Sequence, residues 1–190
     1  ELPVIGEVAV TTLPAGPAAS TGNAIGGSSS VNVFLVDTHA RIADGADVTA
    51  NGGDITVSAG DTLTVFSAAG GLAASTGSVG VGIGLDIGVI DRSTTASVGN
   101  GSVLDADGDI AVQATSTEDV TSIAATFGLS TSGTGVAGSI AVQVLSTQTR
   151  AFVEDGAGTT LTAGGDVPAS ANGDLDTLMI GGAVGVGSSA

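Results

Sequence analysis

The residues of this chain best suited to chemistry are three alternating carboxylates, Asp105, Asp107 and Asp109, set around Gly108. Carboxylate oxygens spaced this way beside a glycine turn are hard ligands of the kind Ca2+ takes, and Ca2+ is the one cofactor they suggest. The spacing departs from an EF-hand loop: the glycine is misplaced and no bidentate Glu follows at the required distance. The matching turns Asn51-Gly52-Gly53-Asp54 and Ala163-Gly164-Gly165-Asp166 carry one Asp each, so a solvated turn is the competing expectation. His39 is the sole histidine and cysteine is absent, which excludes His-based or thiolate metal clusters and disulfides. Any serine nucleophile would have only His39 as an ordinary base, and no Gly-x-Ser-x-Gly elbow surrounds a serine. The expectation is no catalytic residue and no enzyme, with Asp105, Asp107 and Asp109 as the only candidate metal ligands.

These carboxylates lie in a turn that recurs along the chain. Gly-Asp-aliphatic appears at Gly53-Asp54-Ile55, Gly108-Asp109-Ile110 and Gly165-Asp166-Val167, in steps of 55 and 57 residues, with Gly6-Glu7-Val8 as an earlier copy. Thr-x-Ala-x-aliphatic keeps the same beat at Thr38–Ile42, Thr94–Val98 and Thr149–Val153, in steps of 56 and 55. Two markers agreeing on a period of about 55 residues identify tandem units.

Within the middle unit Val79, Val81, Ile83, Leu85, Ile87 and Val89 alternate with glycines and Asp86. That period of two predicts a strand with one aliphatic face, and the glycine face marks close approach by another backbone. A polar break such as Asp91-Arg92-Ser93 then precedes the Thr-x-Ala segment. Turns follow at Asp44-Gly45, Asn100-Gly101 and Asp155-Gly156, then a short strand such as Asp47 to Ala50, then a strand opening at Asp54. The Ala/Ser/Thr-rich stretches Thr62 to Ala74 and Glu118 to Leu129 fit strand better than helix.

Nineteen acidic residues against three arginines give a net charge of −16. Such a surface repels nucleic acid and anionic membranes, whose recognition requires Lys and Arg. Hydrophobic residues make up 42% but aromatics only 2%, so the interior must be filled by small and aliphatic side chains. The apolar stretch Ser78 to Ile90 is too short for a spanning helix and is interrupted by Asp86. The opening Glu1-Leu2-Pro3 has no basic segment of the secretory-signal kind, which suggests a processed product or a portion of something longer.

Many short strands in units too poor in bulk to bury a core alone predict an all-β parallel β-helix, each turn covering its neighbour. About three tandem repeats of roughly 55 residues would each supply two turns or slightly more, at ~4.8 Å per turn. Tandem antiparallel β-sandwich modules are the alternative, disfavoured by the missing core Trp and the 32 glycines. One segment over 1–190 divides into a partial repeat at 1–30, repeats at 31–84 and 85–139, and a third at 140–190 with the start of another.

Val31-Asn32-Val33, Thr149-Arg150-Ala151-Phe152-Val153, Asp44-Gly45-Ala46 and Gly53-Asp54-Ile55-Thr56-Val57-Ser58-Ala59 resemble the repeats of very large secreted bacterial adhesins of the filamentous haemagglutinin and leukotoxin-like type. The resemblance covers nearly the whole chain. It implies a non-catalytic segment of an extracellular filament or adhesin stalk, with further copies of itself as the partner. An adhesive module taking a surface ligand, stabilised by Ca2+, is the alternative that it implies.

Overall fold

The computed structural model describes residues 4–188, so Glu1-Leu2-Pro3 lies outside it. Every described element is a strand, and every strand pair is parallel. Sheet A contains β1 (Val4–Thr12) and β2 (Ala15–Ser20), then β5 (Ile55–Ser75), β8 (Ile110–Ser130) and β11 (Ala169–Val186). Sheet B contains β3 (Ala24–Ile42), β6 (Val79–Val98) and β9 (Thr134–Val153), and sheet C the short β4 (Asp47–Ala50), β7 (Val103–Ala106) and β10 (Thr160–Ala163). The chain climbs from A to B to C and returns to A one level up: it is the parallel β-helix predicted from the repeats. Where the later sheet A strands run unbroken, the first coil is split at Leu13-Pro14. Pro17 then sits on an edge strand, where its missing N–H leaves no ladder bond unmade.

Register fixes what one repeat builds. Ile55 pairs with Ile110, Val79 with Thr134 and Val103 with Thr160, so one 55–57-residue repeat is a single coil rather than two turns. The coil is wide because its two long strands run about 20 residues each before turning. Register also corrects two alignments: Gly6 lies opposite Asp61, not Gly53, and the positive-φ glycine that follows Gly45 and Gly101 at the third such corner is Gly158, not Gly156. Glycines 45, 101 and 158 take that left-handed conformation at successive corners between sheets B and C.

The anticipated polar break is absent, since β6 runs straight through Asp91-Arg92-Ser93. Along it the buried inward row is Gly80, Gly82, Gly84, Asp86, Gly88, Ile90, Arg92, Thr94, Ala96 and Val98, with Ser97 also covered at the strand end. The Thr-x-Ala-x-aliphatic marker is therefore the inward row of one strand end. Its Ala96 and Val98 meet Leu104 of sheet C and Ile55, Val57, Ile110 and Val112 of sheet A in a triangular apolar core.

Farther along the coil the interior narrows. Leu63, Val65, Ile90 and Val120 form a second apolar cluster. Beyond it sheets A and B close onto each other through glycine. A Cβ on Gly80 would lie 2.2 Å from the Leu129 carbonyl oxygen, and one on Gly128 1.9 Å from that of Val136. The close backbone approach expected of the glycine face is thus present, with the glycines inside. The aliphatic face, expected to be shielded by neighbouring turns, points outward.

Candidate interaction surface

Two sets of side chains stand out once the coils are stacked: a polar interior and an apolar exterior. Inside, Arg92 is fully buried between Asp61 of β5 and Glu118 of β8, one coil on. Its Nε donates to Asp61 Oδ2 at 3.0 Å and its Nη1 to the Thr117 carbonyl at 3.3 Å. Nη1 also lies 2.7 Å from Glu118 Oε1, an ion pair by separation although the N–H direction falls outside that of a hydrogen bond. One guanidinium between two carboxylates leaves the cluster with a net negative charge. Burial pushes the Glu118 carboxyl above its ordinary range, against the opposing pull of Arg92 and a hydrogen bond from Ser116.

Asp86 is the other interior carboxylate. It accepts hydrogen bonds from Ser67 and Ser122 of sheet A and from Gln143 Nε2 at 3.4 Å. Asn32 Nδ2 donates to Ser67 at 3.1 Å and to Ser30 at 3.0 Å, extending this network into the first coil. These groups tie three coils together, with Gln143 half-buried and the others buried.

The corner carboxylates do a related job. The backbone N–H of Asp109 donates to Asp54 Oδ1 at 2.8 Å, and that of Asp166 to Asp109 Oδ1 at 2.8 Å. Asp107 Oδ2 accepts from Gly52 N–H at 2.7 Å. The glycines of the second and third Gly-Asp markers leave room for this ladder, because a Cβ on Gly108 would sit 2.0 Å from Asp54 Oδ1 and one on Gly165 2.1 Å from Asp109 Oδ1. Asp105 stands outward on β7, in register with Thr49 and Thr162. Among the described residues no three His, Cys, Asp or Glu side chains converge as metal ligands, so Asp105, Asp107 and Asp109 are neighbours in sequence without forming a cage. His39 is exposed on the outer face of sheet B, in register with Thr95 and Arg150.

That outer face is the candidate surface. Ile25, Val81 and Val136 form one ladder across the coils, Val31, Ile87 and Val142 another, and Val33, Val89 and Val144 a third. Ile83, on the strand flanked from both sides, is still 53% exposed, and Ile140 is 60% exposed. Contiguous apolar surface of this kind marks a contact site.

No family model, curated protein or solved structure matches this chain.

The parity of the strand decides which side chains reach the surface. Aliphatics occupy odd positions from Val79 to Val89, then even ones from Ile90 to Val98. A continuous strand cannot bury both sets, and the adjacent pair Val89-Ile90 marks the switch. The same doublet appears in register at Val144-Leu145 and at Val33-Phe34. Sequence reasoning that cut the strand at Asp91 missed both the outward aliphatic face and the buried Arg92. The doublets were the signal available to find them.

Proposed function

We propose that this chain is a non-catalytic structural segment of an extracellular bacterial filament or adhesin stalk, which adds end to end to further coils of the same kind. The observation that carries this reading is the constancy of the coil: strands in all three sheets repeat every 55–57 residues, with matching inward columns. Among the described residues β3, β4, β9 and β10 each have one unpaired edge, so the ladders can accept another coil on either side. Export and an adhesin context rest on the resemblance of the repeats. The engagement of Asp54, Asp107 and Asp109 in backbone hydrogen bonds and the enclosure of Asp61, Asp86 and Glu118 favour an architectural role over a catalytic one.

The wide coil qualifies what such a segment supplies. A coil of 55 residues advances the stack by only ~4.8 Å, so it lends breadth, and hence resistance to bending, more than length. Negative-stain images of the purified chain at high concentration should show stacked ladders that lengthen with concentration. Dispersed particles of a single size would rule out end-to-end addition.

A further inference from the structure

We propose that two copies of this chain pair laterally, the outer face of sheet B of one packing against the same face of the other. This contact is separate from growth at the coil ends and stands or falls independently of it.

Charge favours this face. The chain carries −16 overall, and two copies must meet where repulsion is least. The outward side chains of β3, β6 and β9 include Asp37 and Asp91 against Arg41 and Arg150, which sum to zero with His39 neutral. Arg41 also reaches Asp44 and Glu154 at the adjoining corner. Sheet C and its corners, by contrast, hold Asp44, Asp47, Asp54, Asp105, Asp107 and Asp109. From Ile25 to Val33, and across the paired stretches of β6 and β9, no outward residue is charged.

The face is also large enough. Strands of 19–20 residues at ~3.3 Å per residue, three abreast at ~4.8 Å, present about 900 Å² per copy. Two copies would bury about 1,800 Å², within the range of roughly 1,200–2,000 Å² typical of specific interfaces. The aliphatic half alone offers about 500 Å² per copy on the same spacings, short of that range. The neutral polar half therefore belongs to the contact.

Its shape is self-complementary. In-register parallel ladders place side chains on a grid of about 7 by 5 Å, and a two-fold axis lying between the sheets maps that grid onto itself. The result is a closed, isologous contact of two aligned sheets about 10 Å apart. A second copy supplies the same grid with the same charge balance, which a lipid surface does not.

Sedimentation velocity of the full chain over a range of concentrations, at low and high salt, tests this. The expected species is a dimer whose dissociation constant falls as salt screens the acidic edges. Ile87→Lys with Val142→Lys should weaken it at least about tenfold, a change of 1.4 kcal/mol. The triple change Val31→Thr, Ile87→Thr and Val142→Thr, which keeps strand-forming side chains, should also weaken it. Thr62→Lys with Thr117→Lys on the outer face of sheet A should leave it intact. A wild-type chain that stays monomeric overturns the proposal, as does a dimer indifferent to the sheet B changes. So does a monomer that binds phosphatidylcholine vesicles through this face, which would identify lipid as the occupant.

Discussion

Glu118 sits one coil away from Asp61 and shares Arg92 with it, so two buried carboxyl groups have one guanidinium between them. Because burial raises its folded-state pKa, the native chain keeps a proton that the unfolded chain releases. The stability this gives is complete below the ordinary value of 4.5 and is lost as pH rises through the raised one. Glu118→Gln removes that titration and leaves Arg92 paired one to one with Asp61. The variant should therefore melt at a temperature that declines less between acid and neutral pH than the wild type does. Parallel slopes in thermal melts followed by circular dichroism would show that folding does not hold the proton on Glu118. At this scale the sequence revealed little: Asp61 and Glu118 lie 31 and 26 positions from Arg92, and only the coil brings the three together. The Gly-Asp marker was legible as a turn, but its function was not. Each aspartate caps the backbone of the next coil, a role visible only once residues 55 apart are stacked.

At the level of the strand, two glycines with the same local sequence preference have opposite surroundings. Gly80 faces inward, where a methyl group would strike the Leu129 carbonyl at 2.2 Å, while Gly138 faces outward with nothing within 4 Å. Gly80→Ala should cost about 1–3 kcal/mol by forcing sheets A and B apart. Gly138→Ala should be neutral or stabilising by about 0.5–1 kcal/mol, since it removes only the entropic penalty of glycine in a strand. Urea melts of the two variants check the contrast, and equal losses would mean that the sheets are not closed on each other at Gly80. The β-helix, its period and the short strand Asp47–Ala50 were all readable from the repeats. The direction of the aliphatic face was not. Burying Val79 to Val89 satisfies the usual rule for an alternating strand, and only continuity through Asp91 forces the choice between the two parities. The glycines won the interior because sheets this close have room for nothing larger.

The whole molecule is a slab. Its long strands of up to 21 residues span about 70 Å at ~3.3 Å each, whereas four stacked levels occupy only about 20 Å at ~4.8 Å spacing. Its accessible surface of 9533 Å² exceeds the roughly 8,000 Å² expected of a compact protein of its mass, as a flattened body requires. Small-angle scattering of the dilute monomer should give a maximum dimension near 70 Å. A value near 40 Å would contradict one coil per repeat. The same geometry also governs how the molecule comes into being. No sheet pairing in the body links residues closer than 55 apart in sequence, so the earliest pairing must close a long loop before any reward is collected. Once two levels exist, the exposed edge acts as a mould for the level after it, and growth proceeds more easily than its start. Folding of this chain should therefore resemble crystallisation, with a slow seed and rapid layering from it.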